Sequence, residues 1–163
     1  MLYVLLIYGF NRMLRFNNKG DYNLPVGNID FNTNTYQALV NYFLITQRKK
    51  ITFTNLDYNV FFQQIDLTEK DFIYLDPPYL ITFSEYNKLW NEQQEKNLLN
   101  TLDNIHRNGI KFAISNVVDY KGRKNNIFVE WSHKYNMHNI KSNYISYHDN
   151  STKKFSEVLI TNY

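Results

Sequence analysis

Cysteine is absent from this 163-residue chain. Its absence excludes a disulfide framework, a thiolate zinc site and a cysteine nucleophile. Glycine is scarce, at 5 residues, and proline scarcer, at 3. There is no internal repeat, and no low-complexity tract beyond a general richness in asparagine. A long apolar run is missing as well. The stretch MLYVLLIY at residues 1–8 is too short to span a bilayer. It also lacks the charged start and small-residue cleavage site of a signal peptide. It reads as a buried helix, and the chain as cytoplasmic with no membrane partner. The four histidines, His106, His133, His138 and His148, are scattered without metal-ligand spacing, so no metal is expected.

Rings are what the chain has in excess. Aromatic residues make up 17% of it, with 14 Tyr and 12 Phe, against 20% charged residues. That is too much apolar surface for a disordered segment. Most of these rings belong in a core, although tyrosine is also a ring that stacks on unpaired bases. Lys and Arg exceed Asp and Glu by 18 to 15, giving a net charge of +3. The balance suits a phosphate-bearing partner without requiring one.

Periodicity orders the chain as follows. An apolar helix is expected over 1–16, an Asn-rich loop over 17–34, and a helix over about 33–47 with Tyr36, Leu39, Val40, Phe43 and Leu44 at helical spacing. A short strand at 51–54 and a helix around 57–64 follow. Residues 71–75 (DFIYL) form a compact apolar run, as expected of a central strand buried on both faces. Asn91 is the expected N-cap of a helix over 91–107, with Leu98, Leu99, Leu102 and Ile105 inward and Gly109 past its end. A strand at 110–115, a helix near 126–135 and two strands at 138–146 and 156–162 complete the series, the last two joined by a polar basic loop at 147–154. Strand, helix, strand, helix and a terminal hairpin make the back half of an α/β sheet. The opening strands of that sheet are not in the pattern. The expected organisation is a recognition-like segment at 1–50 followed by a catalytic α/β part at 51–163.

The sharpest local signal is Asp76-Pro77-Pro78-Tyr79, directly after the apolar run. In open α/β folds, ligands bind beyond the carboxyl ends of the strands. The two prolines lack N–H groups and cannot continue a sheet ladder, so the strand must stop and nearby carbonyls stay available to a ligand. Asp76 adds a carboxylate acceptor and Tyr79 a flat ring. Together they suit an amino group attached to an aromatic ring, such as that of adenine. Its lone pair is delocalised into the ring, and two acceptors holding both amine hydrogens would localise it again. The plainer reading is a strand that ends in a Pro-Pro turn, with Asp76 capping a neighbour.

A second signal lies upstream. Tyr8-Gly9-Phe10-Asn11-Arg12-Met13-Leu14-Arg15-Phe16-Asn17 precedes Lys19-Gly20-Asp21-Tyr22-Asn23-Leu24-Pro25-Val26-Gly27. This pair of stretches resembles the target-recognition segment of Dam-like adenine-specific DNA methyltransferases. The likeness continues in order through the DPPY tetrapeptide, Ile114-Ser115-Asn116 and the closing Glu157-Val158-Leu159-Ile160-Thr161-Asn162-Tyr163. The resemblance implies a partial Rossmann-like class I methyltransferase sheet, a helical target-recognition segment and a C-terminal β-hairpin. It implies methyl transfer from S-adenosyl-L-methionine, without a metal, to the exocyclic amine of a flipped adenine in double-stranded DNA. Asp76, Pro77, Pro78 and Tyr79 would then be catalytic, and Asp76 and Tyr58 would contact the methyl donor. Phe10, Asn11, Met13, Arg15 and Pro25 would contact DNA. Arg15 matches an arginine that reads guanine, which makes GATC the expected target, while a phosphate contact is an equal alternative for it. For Tyr58 a core role is the alternative.

The family's N-terminal features have no counterpart here: a Lys- and Gly-containing motif, a Gly-rich loop after the first strand, and an acidic residue for the donor's ribose. The expectation is therefore a truncated or split enzyme whose missing part a second chain could supply. A catalytically inactive DNA-binding remnant is the alternative, and a methyltransferase for RNA or protein amide is a further one.

Overall fold

The computed structural model describes residues 2–28, 30–82, 87, 89–141 and 155–163. The chain divides into two compact units, Met1–Asp57 and Tyr58–Tyr163.

In the first unit, helix α1 (Leu2–Tyr8) stops well short of residue 16. Gly9 follows it, and then a single 3-10 turn, Phe10–Arg12, in which Asn11 and Arg12 take positive φ angles of 53° and 56°. Side chains other than glycine rarely adopt that region, and no α-helix passes through it. Nor is α1 buried: none of its residues is enclosed, and Leu2 and Val4 are more than half exposed. Helix α2 (Thr33–Arg48) starts where Asn32 accepts a bond from the Thr35 amide at 3.0 Å, a standard N-cap. The expected strand at 51–54 does not form. Residues 51–57 are exposed, without regular structure.

The second unit is an α/β arrangement with a mostly antiparallel sheet. It comprises α3 (Tyr58–Gln64), β1 (Phe72–Leu75), α4 (Glu92–Arg107), β2 (Lys111–Tyr120), β3 (Arg123–Lys124), α5 (Asn126–Ser132), β4 (Asn136–Ile140) and β5 (Phe155–Thr161). The strand order is β1-β2-β5-β4, with β3 beside β2. Only β1 and β2 run parallel, and α4 is the helix between them. The last two strands pair antiparallel, as the expected hairpin requires. Residues 142–146 of the expected strand, the basic loop at 147–154 and His148 lie outside the described residues.

Strand β1 corrects one expectation. Among the described residues it pairs with β2 alone and so is an edge strand. Its exposure alternates, with Phe72 and Tyr74 open and Ile73 and Leu75 half-buried. The apolar run reads as buried on both faces because the outward positions are rings, not polar residues.

The core lies on the α4 side of this sheet. Asn91 and Gln94 form a reciprocal capping box at 3.0 and 3.1 Å. One face of α4, carrying Leu98, Leu99, Leu102 and Ile105, joins Phe112, Ile114, Phe128, Trp131, Val158 and Ile160 in a single cluster. Each fully buried aliphatic side chain of this kind contributes about 1.5–3 kcal/mol. Asn162 closes the end of the sheet, accepting from the Phe112 amide at 2.7 Å and donating to the Ile110 carbonyl at 2.8 Å.

Asp103 joins α4 to the region of α5. It accepts bonds from Trp131 Nε1 at 2.8 Å, Tyr135 Oη at 2.7 Å and Lys134 Nζ at 2.7 Å. Burial opposes its ionisation, but these three donors and the lysine charge outweigh burial and hold its pKa below the ordinary value. A carboxyl whose folded pKa is depressed stabilises the fold above its unfolded pKa, about 3.9, and loses that contribution as pH falls through the folded value. Asp103→Asn should therefore lower the melting temperature most near neutral pH. The gap to the wild type should close in acid, as thermal melts across the acidic range would show.

Candidate active site and recognition segment

The tetrapeptide occupies the place its prolines predict. β1 ends at Leu75, and Asp76 stands just beyond its carboxyl end. The parallel register aligns Leu75 with Ile114, so Asp76 and Ser115 emerge side by side from neighbouring strands. Ser115 Oγ lies 3.1 Å from Asp76 Oδ1 and 3.2 Å from Tyr74 Oη. Tyr79 Oη donates to the same Oδ1 at 3.0 Å. Among the described residues, no donor is bonded to Asp76 Oδ2.

Tyr79 has a second partner. Its hydroxyl lies 3.2 Å from Oε1 of Glu157, a residue of β5 that the sheet register places opposite Val117 of β2. The phenol has one proton and so serves one carboxylate at a time, bridging the two. Burial first, and then the Asp76 bond and the charges of Asp76 and Glu157, push the phenol's pKa up, against a lowering contribution from Ser115. Tyr79 thus remains a donor throughout the physiological range. The turn beyond it is tied by Asn87, whose amide donates to the carbonyls of Tyr79 at 2.7 Å and Thr82 at 2.8 Å.

Beside Asp76 lies a cavity of about 310 Å³. Tyr58, Phe61, Phe62 and Trp90 supply its ring walls, and Asp76, Pro77 and Pro78 border it. Tyr58 meets Phe62 at a centroid distance of 6.5 Å and Trp90 at 6.4 Å. It also packs, half-buried, against the core cluster, so it borders the cavity and the core at once. A volume near 300 Å³ is at the small end of ligand pockets.

In the first unit, the recognition-like segment folds back on itself as a clasp. Gly9 bridges to Val26 and Phe16 to Tyr22. The Phe10 amide donates to the Pro25 carbonyl at 3.0 Å, and the Gly27 amide to the Tyr8 carbonyl at 2.7 Å. A Cβ on Gly27 would lie 2.7 Å from the Gly9 carbonyl oxygen, so the crossing closes only with glycine there. Phe10, Asn11, Met13, Arg15 and Pro25 all belong to this clasp, and all but Phe10 are exposed. Arg15 Nε donates to the Asn23 carbonyl at 2.8 Å, and the Asn23 amide returns a bond to the Arg15 carbonyl at 2.8 Å. The guanidinium is thereby oriented, and among the described residues no acceptor is bonded to either Nη group.

The five residues expected to contact DNA therefore gather in one unit, and Asp76, Pro77, Pro78, Tyr79 and Tyr58 gather in the other. Sequence reasoning missed Ser115, Glu157, Asn87 and Trp90. Ser115 stands in β2, beside β1, and Glu157 in β5, one strand further on, and only the register brings them to Asp76 and Tyr79. Among the described residues, no three His, Cys, Asp or Glu side chains cluster to hold a metal, and no helix is long and apolar enough to cross a membrane.

Comparison with known proteins agrees with this geometry. Type II methyltransferase M.FokI of Planomicrobium okeanokoites is 41% identical over 172 residues, covering 99% of this chain and 26% of that protein. Modification methylase StsI of Streptococcus sanguinis is 40% identical over 176 residues, with the same coverage. Modification methylase LlaI of Lactococcus lactis subsp. lactis is 34% identical over 171 residues, again across 99% of this chain and 26% of the relative. The chain thus spans about a quarter of the length of each of these relatives. Residues 1–160 match the model of the D12 class N6 adenine-specific DNA methyltransferases. The chain belongs to that family.

Proposed function

We propose that this chain supplies the reacting site and the target reader of a modification enzyme. The reaction is methyl transfer from S-adenosyl-L-methionine to the exocyclic amine of adenine in double-stranded DNA. The observation that carries this reading is the one-sided hold on Asp76. Ser115 and Tyr79 both bond Oδ1, which turns Oδ2 toward a ligand. Oδ2 accepts one amine hydrogen, and the carbonyl of Pro77 accepts the other. Two acceptors draw the nitrogen toward a tetrahedral shape and free its lone pair. Pro78 keeps the turn rigid, and the Tyr79 ring, fixed by its tethered hydroxyl, offers a stacking surface to a base flipped out of the duplex.

The methyl donor supplies an electrophilic methyl on a sulfonium centre, chemistry that needs no Lewis acid, so this reading includes no metal. The residues present fit the donor. The ring walls of the cavity suit its adenine, with Tyr58 among them, and the adjoining Asp76 suits its ammonium group. A Rossmann-like sheet is part of the proposal. So is a segment or second chain carrying a Gly-rich loop, and its support is the edge of β1 that has no described neighbour. An unpaired edge is a template for further strands. We place the enzyme in the cytoplasm, and the names of the relatives suggest a role in a restriction-modification system. Phe10, Asn11, Met13, Arg15 and Pro25 form the DNA-reading surface, with GATC as the proposed target.

Transfer of labelled methyl to a GATC-containing duplex tests the reaction. Asp76→Ala should reduce it about hundredfold or more, the usual scale for losing a group that acts on the reacting atom. Transfer that survives the substitution would overturn the role given to Asp76. Transfer absent from both proteins, with duplex binding retained, would favour a non-catalytic DNA-binding remnant. For the reader, Arg15→Ala should weaken binding to a GATC duplex by about 1–3 kcal/mol more than to a scrambled one. Equal losses on both duplexes would make Arg15 a phosphate contact.

A further inference from the structure

Glu95 is the buried carboxyl that the proposed reaction does not use. It is 1% exposed, in the first turn of α4. Oε1 accepts bonds from Asn116 Nδ2 at 3.1 Å and Asn125 Nδ2 at 2.9 Å, and Oε2 accepts from Trp90 Nε1 at 2.6 Å. Asn116 lies in β2, and Asn125 caps α5 through the Phe128 amide. One carboxyl therefore joins a strand and a helix cap to a single ring of the cavity wall.

Its position along α4 makes the choice of residue informative. Counted from the N-cap Asn91, Trp90 is the residue before the cap and Glu95 the fourth residue of the helix. These two positions ordinarily hold an apolar pair that staples the helix start. An apolar residue at 95 would form the staple without the desolvation penalty a buried carboxyl carries. Burial does act on this group, raising its pKa against the lowering contributions of Trp90, Asn125 and Asn116. Helix stability alone thus does not account for glutamate here, whereas a fixed direction for the Trp90 indole does. Trp90 lines the cavity and meets Tyr58, another of its ring walls.

We infer that Glu95 is a positioning residue for the ring-lined cavity. It fixes Trp90 as one wall and so sets how tightly an adenosine-bearing ligand is held. The inference rests on the cavity reading given above.

Glu95→Gln isolates this role. Glutamine keeps one acceptor oxygen and replaces the other with a donor. Turning that donor toward Asn116 and Asn125 would oblige both amides to flip, which would break their bonds to the Val117 and Phe128 amides. Facing the donor toward Trp90 loses one bond, from a half-buried ring. The variant should therefore release Trp90 and keep the framework.

The full chain has two tryptophans, so two indole N–H resonances report directly. Trp90→Phe identifies the Trp90 signal. In the wild type, adenosine should shift that signal. In Glu95→Gln the signal should move toward the free-indole position, and adenosine binding should weaken about tenfold, the scale of one ordering hydrogen bond. In a Trp90→Phe background, Glu95→Gln should have no further effect on adenosine binding. An equal loss in both backgrounds would overturn the inference, because Glu95 would then act through the framework. A wild type whose Trp90 signal is displaced by Glu95 but indifferent to adenosine would overturn the cavity reading itself.

Discussion

A carboxylate that is to hold an amine at its reacting nitrogen needs one oxygen fixed and the other open. Among the described residues Asp76 has that geometry, because two hydroxyls converge on Oδ1, one from the adjoining strand and one from its own tetrapeptide. The surrounding structure maintains that convergence. The parallel register of β1 and β2 sets Ser115 beside Asp76. The antiparallel register of β2 and β5 brings Glu157 to the far side of the Tyr79 hydroxyl. The α4 core beneath holds those strands in place. Each hydroxyl contributes a bond to a charged acceptor, of the order of 1.5–3 kcal/mol, and a direction as well.

Much of this was legible in the sequence, because the signals were local. Asn91 and Gln94 stand at capping-box spacing, and Leu98, Leu99, Leu102 and Ile105 repeat along one helix face, so α4 appeared where periodicity put it. Asp76-Pro77-Pro78-Tyr79 announced a strand end with acceptors facing outward, and β1 ends there. Neither the Ser115 partner of Asp76 nor the Glu157 partner of Tyr79 is legible, since they lie 39 and 78 positions away and only pairing register brings them in. Trp90 gave no signal either. Its place in the cavity wall depends on a buried glutamate that resembles an ordinary helix-start acid in the sequence.

Where expectation and structure differ, backbone conformation was the deciding factor. The apolar run through residue 16 has helical spacing, yet positive φ at Asn11 and Arg12 ends the helix at Tyr8 and turns the segment into a clasp. Hydrophobicity carries no information about that turn. The Gly9–Gly27 crossing, which admits no Cβ, is the feature that explains it. The rings of Phe72 and Tyr74 give β1 the pattern of a central strand, but in the sheet both point away from the core.

The most direct test of the account is the single-turnover rate of methyl transfer in the Ser115→Ala, Tyr79→Phe double variant. If the two Oδ1 bonds aim the free oxygen at the amine, the rate should fall about tenfold to hundredfold, in line with one or two bonds to a charged group, while duplex affinity stays unchanged. A wild-type rate in the double variant would contradict the account, because Asp76 would then find the amine without either tether.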